Sequence, residues 1–268
     1  MIGGILIAGM ALFSVSAPLL TPYDPLKIDP TQPLSPPGLS HPLGTDQLGR
    51  DILSRTAYGG RISLGIGSMV VILGASIGGI IGLLSAYSGG IVDTILQRIV
   101  DSLLAFPTLL LALVLIVAWE PSVTSLVLAI GVTQAPWVAR MVRSAALTVM
   151  LTDYVQAAVA LGCSSSRVVV FHILPQCVAP FLVVSTAGLG VAIVLEASLS
   201  FLGLGVQPPT PSWGGMLSGS ARDYARAAPW MVLTPGVALS LTVYGVNLLG
   251  DTLRDMMDPR IRNFHHSP

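Results

Sequence analysis

Apolar residues gather in six long runs along this chain, at about residues 2–20, 62–87, 98–119, 123–142, 178–199 and 230–249. Each comes close to the ~20 apolar residues a helix needs to cross a bilayer. Backbone amides in lipid must be paired within their own segment, so every run is expected to be helical. The expected fold is all-α, a polytopic membrane protein with about six transmembrane helices.

Polar stretches separate the runs. The first, residues 21–60, opens with Pro22, Pro25, Pro30, Pro33, Pro36 and Pro37, so its first half is expected to be extended. Its second half, Thr45 to Arg55, predicts a short capped helix, because Asp46/Arg50 and Asp51/Arg55 are acid-to-base pairs four residues apart. The other two are residues 151–176 and the Gly- and Pro-rich residues 200–228. The expected division is a first span over 1–20, an extracytoplasmic loop over 21–60, and a transmembrane domain over 61–268 that contains the segment 151–176.

Composition agrees with the runs. Of 268 residues, 53% are hydrophobic and 10% charged, against roughly 25% charged in a soluble domain. So few charges cannot cover a water-exposed surface of this size. The 13 basic and 13 acidic residues cancel, which gives no basic surface for nucleic acid. Cys163 and Cys177 form no CxxC or Cys/His cluster, so they read as unpaired thiols and no metal site is expected. A phosphate-binding GxxxxGK[ST] loop is absent, so ATP is not bound here by that route. Ser14-Val15-Ser16-Ala17 imitates a signal-peptide cleavage site, but no basic residue precedes the apolar run, and a retained first span is the favoured reading.

Six spans put both termini on one side. With that side cytoplasmic, Arg98, Arg140, Arg143, Arg167, Arg254, Arg260 and Arg262 lie inside. Lys27, Arg50, Arg55, Arg61, Arg222 and Arg226 then lie outside, a near-even split. Short loops weigh more than long ones, which leans toward cytoplasmic termini.

The segment 151–176 is the most informative. Asp153 is expected to cap a helix in which Gln156 completes a capping-box variant. Tyr154, Ala157, Ala158 and Leu161 then form one apolar stripe. Gly162 follows, suited to a left-handed bend. Ser164-Ser165-Ser166 offers a second cap, and Pro175 is expected to end the second helix. The result is a helix–Gly–helix elbow, either a plain surface loop or a docking peg for a soluble partner.

Gln156-Ala157-Ala158, Gly162 and Ile173-Leu174-Pro175 resemble the "EAA" loop of ABC importer permeases, with glutamine where the family has glutamate. His41-Pro42-Leu43-Gly44-Thr45-Asp46 with Gly49-Arg50-Asp51 resembles the dipeptide, oligopeptide and nickel branch of those permeases. So do the run from Glu196 to Gly205, the continuation from Gln207 through Trp213-Gly214, and the tail Asp251 to Arg254 with Asp258-Pro259-Arg260. Within the branch the chain looks like the second, "C" permease of a dipeptide importer. The resemblance implies a type I ABC importer permease fold in the cytoplasmic membrane, with peptide as cargo and nickel or glutathione as the alternative. It implies a homologous permease, two ATPases and an extracytoplasmic binding protein as partners, with no cofactor on this chain and with ATP and Mg acting on the ATPases. It implies a coupling role for Asp153, Tyr154, Gln156, Ala157, Ala158, Leu161, Gly162, Arg167 and Pro175.

Glu196, a carboxylate in an apolar run, is costly unless it faces a cavity or a partner. It is read either as a gate or substrate-path residue or, preferably, as a helix-end acid bonded to the Gly-rich loop after it. Asp93 and Asp101 read as interfacial, and Arg140 and Arg143 as snorkelling to headgroups. An intramembrane hydrolase is disfavoured because His41, His172, His265 and His266 all lie outside the runs. A secondary transporter is disfavoured by the scarcity of mid-membrane charge.

Overall fold

The computed structural model describes residues 2–257; the expected tail motif Asp258-Pro259-Arg260 and the residues after it lie outside that range. Among the described residues the regular structure is helix, with one isolated bridge between Thr45 and Asp51 in place of any sheet. In chain order the helices are α1 (Ile2–Val15), α2 (Ala17–Leu20), α3 (Ile52–Ser88), α4 (Gly90–Leu104), α5 (Thr108–Trp119) and α6 (Val123–Met150). After these come α7 (Asp153–Ala160), α8 (Ser165–Val168), a π-helical turn (Val169–Ile173), α9 (Leu174–Phe201), α10 (Trp213–Leu217), α11 (Ser220–Asp223) and α12 (Trp230–Met257). Helices α3, α6, α9 with its N-terminal extension, and α12 are long and apolar enough to cross a membrane, whereas α1 has only 14 residues.

Three expectations change. The third run is not one helix: α4 and α5 meet at 93°. Phe106 precedes Pro107, whose ring disfavours helical backbone at the residue before it, and the chain turns there. The short helix expected over Thr45–Arg55 is also absent. Asp46 bends the chain instead, its Oδ1 accepting from the amides of Leu48 (2.9 Å) and Arg50 (3.0 Å), and helix begins only at Ile52. The Asp46–Arg50 pair survives without a helix, at 2.6 Å, while Asp51 turns away from Arg55. Asp51 caps α3 through Ser54 and bonds the buried His41 at 2.9 Å. Finally, Pro175 does not end a helix. It sits in the first turn of α9, and the chain stays helical from Ser165 to Phe201 through the π turn. The wider turn takes up the proline, which has no amide to give and whose ring crowds the preceding turn.

The tightest seam joins α3 and α6. Gly74, Gly78 and Gly82 share one edge of α3 and press on the backbone of α6. A Cβ placed on Gly74 would stand 2.9 Å from the carbonyl oxygen of Gly131, and one on Gly82 would stand 2.6 Å from that of Ala139. In lipid, where no hydrophobic force drives helices together, such close approach supplies the dispersion contacts that hold them.

Both long loops collect at one end of the bundle. Residues Thr21 to Leu26 share a cavity of about 740 Å³ with Tyr58, Arg61, Thr210 and Pro211. The Trp230 indole donates to the carbonyl of Thr45 at 3.0 Å, and Trp213 donates to that of Thr56 at 2.9 Å. Helix α6 starts at the same end, capped by reciprocal Ser122 and Ser125 bonds, and it therefore delivers residues 151–173 to the opposite end. Gly3 packs against Leu248 and Leu249 near the close of α12, so the beginning and end of the described chain share that opposite end.

Candidate functional site

The elbow projects from the far end of α6. Thr152, and not Asp153, is the N-cap of α7; Asp153 is the first helical residue, and no side chain bonds the cap. The expected capping box is therefore missing, and the Gln156 amide reaches the Leu151 carbonyl only at 3.4 Å. A carboxylate at the first helical position still suits the positive end of a helix. Gly162 has φ +82°, the left-handed conformation expected of it, and nothing stands within 4 Å of where a Cβ would be. Its amide donates to Val159 at 3.0 Å.

The expected stripe divides. Val155 turns inward and joins a buried cluster with Ala86, Ala146, Val168 and Ile173, which fixes the elbow to the ends of α3 and α6, while Ala158 is buried where it borders the cavity described next. Tyr154, Ala157 and Leu161 stay exposed, Leu161 at 86%. Together with Arg167, Phe171 and His172 they border an open cavity of about 820 Å³. An apolar surface this open on a rigid base suits a protein partner. Asp153, Gln156 and Pro175 are exposed but do not border the cavity.

Phe171 and His172 belong to the site and were not foreseen. The signal was Pro175: its missing amide leaves a carbonyl one turn back without a helical partner, which marks the place where the π turn swings Phe171 outward. Cys163 is partly exposed and Cys177 is buried at 2%. A thiol reagent should therefore label Cys163 in the folded protein and reach Cys177 only on unfolding, read by mass spectrometry of the two peptides.

Behind the elbow, two ion pairs correct the reading of the inner arginines. Arg143 grips Asp93 with two bonds, Nε to Oδ1 at 2.7 Å and Nη2 to Oδ2 at 2.5 Å. Ser85 donates to the same carboxylate and accepts from Gln97 at 2.7 Å. Arg140 pairs with Asp101 at 2.5 Å in a more exposed setting. Asp93, Gln97 and Asp101 recur every four residues on α4, so one face of that helix is held against α3 and α6, and both arginines have carboxylate partners within the protein.

Glu196 lies near the loop end of α9 and is fully buried. Its Oε1 accepts from Ser200 at 2.8 Å, and Ser200 in turn accepts from the amide of Val206 in the Gly-rich loop at 3.3 Å. Ser63 and Ser212 stand beside the carboxylate. The arrangement ties the loop to α9 and α3.

A broken third run, an elbow between α6 and α9 and two loops at the other end now stand together. The family described as "Binding-protein-dependent transport system inner membrane component" matches residues 78–263. The chain belongs to this family. Residues 1–37 match the "N-terminal TM domain of oligopeptide transport permease C". The permease is 42% identical over 261 residues to a putative peptide transport system permease protein of Brucella suis, covering 97% of this chain and 88% of that one. It is also 42% identical over 267 residues to the dipeptide transport system permease protein DppC of Escherichia coli (strain K12), covering 97% and 89%. Its fold is that of the MetNI methionine ABC transporter in inward-facing form, with TM-score 0.63 and 20% identity over 76% of this chain and 96% of that one. The permease is a multi-pass membrane protein of a transport system.

Proposed function

We propose that the permease forms half of the membrane path of an ATP-driven importer for dipeptides or short oligopeptides. The elbow carries the reading: a small helix, a left-handed glycine and an exposed apolar cavity, seated firmly on the ends of α3 and α6. A peg of this kind transmits force, because its inner face is packed while its outer face is left for a partner. Peptide cargo is supported by 42% identity, across nearly the whole chain, to proteins named for peptide and dipeptide transport.

In this reading the partners are a homologous permease, two ATPases that hold ATP and Mg, and an extracytoplasmic binding protein. The elbow and both termini face the cytoplasm, and the two long loops face the binding protein. Closure of the ATPases pushes Tyr154, Gln156, Ala157, Leu161 and Arg167, and the rigid α6–α9 body swings with them. Asp153, Gly162 and Pro175 position those residues, and Ala158 lines the cavity between them.

A strain lacking the gene should lose growth and uptake on defined dipeptides and regain both with the gene restored; unchanged dipeptide uptake would remove the cargo. Protease sites placed in residues 21–51 and 202–229 should be cut in spheroplasts, and protection of both would reverse the orientation.

A further inference from the structure

Helix α12 carries a polar stripe that the elbow does not explain and that packing within the chain touches only at Asn247. Ser240, Tyr244, Asn247 and Asp251 fall at i, i+4, i+7 and i+11, on one face. All are exposed, Tyr244 at 58%, whereas the opposite face, with Ala238, Thr242 and Val246, is buried. Toward the loop end the same exposed face is apolar, with Leu233 and Val237.

Depth makes the stripe informative. Trp230, bonded to the loop through Thr45, marks the loop-side end of the helix. At 1.5 Å per residue, Tyr244 lies roughly 21 Å and Asn247 roughly 25 Å along the helix from it, within a hydrocarbon layer about 30 Å thick. A phenol or a carboxamide facing lipid there would have no hydrogen-bond partner. A tight helix–helix seam would instead want small residues, as α3 and α6 show. Asn247 is held in place: a Cβ on Gly190 of α9 would stand 2.9 Å from its Oδ1, so the side chain lies along bare α9 backbone. Water in a channel satisfies these groups, and so does a polar cargo.

We propose that this face of α12 lines the water-filled path and contacts the cargo, a short zwitterionic peptide, through Tyr244 and Asn247, with Asp251 receiving the ammonium end at the elbow-side mouth. The proposal rests on the peptide-importer reading. The stripe runs roughly 16 Å, longer than an extended dipeptide at about 7 Å, so successive groups can exchange hydrogen bonds with the peptide backbone as it moves. Amide and hydroxyl groups bond any peptide backbone without reading its side chains, which suits a path that passes many sequences.

The test uses the complete transporter in proteoliposomes, with Cys163→Ser and Cys177→Ala in the permease. Ser240→Cys and Asn247→Cys should react rapidly with a charged, hydrophilic thiol reagent, Thr242→Cys should not, and saturating dialanine should slow the first two. With the native cysteines kept, Asn247→Leu should raise the KM for dialanine uptake about fivefold, the weight of one net hydrogen bond. Reaction at Ser240→Cys and Asn247→Cys as slow as at Thr242→Cys would show lipid or a packed helix on this face and overturn the proposal. Rapid reaction without protection by dialanine, or an unchanged KM, would overturn the cargo contact. Failure of the unsubstituted transporter to take up any dipeptide would instead overturn the peptide reading, and would leave the labelling contrast as a separate result.

Discussion

Gly78→Leu should prevent recovery of folded permease, although the chain should still enter the membrane. A Cβ at this position meets the Ala135 carbonyl oxygen, the Val138 Cβ at 2.7 Å and the Ala139 amide nitrogen at 3.0 Å. Two of these are backbone atoms of α6, which no side-chain rotation can move aside. Gly78→Ala carries the same first clash and should cost roughly 1–3 kcal/mol of stability, the usual cost of overpacking. Gly65→Ala is the control on the same helix, because nothing stands within 4 Å of its Cβ position. Thermal unfolding in detergent and the yield of assembled transporter measure all three. A Gly78→Leu protein with unaltered melting and assembly would show that α3 and α6 do not meet at this seam.

Gly162→Pro should do the opposite kind of damage, leaving the fold intact and removing coupling. The backbone there stands at φ +82°, whereas proline is held near −65°. Proline also deletes the amide that donates to Val159 at 3.0 Å. Gly162→Ala meets no atoms and bears only the left-handed strain, roughly 1–2 kcal/mol, so it should retain much of its activity. For Gly162→Pro the expected result is normal melting, normal amounts in the membrane, and loss of most of the peptide-stimulated ATP hydrolysis by the assembled complex. Full transport by that variant would remove the elbow from the mechanism. The two substitutions separate the parts of the molecule: one acts on the seam that holds it together, the other on the peg that drives it.

Much of this was legible in the chain itself. The positions of the apolar runs needed only hydropathy, because lipid imposes one rule on every residue within it. The bend at Gly162 needed only local stereochemistry, and it stands where expected. The fourth run was expected to begin at residue 123, and α6 begins there. The elbow's outer surface was legible only in part. Helical spacing placed Tyr154, Ala157, Ala158 and Leu161 together, but which of them turn inward depends on the ends of α3 and α6, far away in sequence.

What the sequence determined by itself was the apolar runs and the left-handed bend at Gly162. The cap at Asp153, the helix over residues 45–55 and the stop at Pro175, though local, were settled differently by the folded chain. What the tertiary structure decided depends on how one helix is rotated against another. Arg143 and Asp93 are 50 positions apart, and no spacing rule joins them. The spacing of Gly74, Gly78 and Gly82 shows a bare edge on α3 but not that α6 fills it. Glu196 reads as exposed or buried until Ser200, Ser63 and Ser212 are seen around it. The polar face of α12 reads as an ordinary mixture of residues until its other face is seen to be covered. Local stereochemistry acts through bonds and short hydrogen-bonded rings, which the chain order records directly; packing acts through space, and only the folded chain brings those atoms within reach.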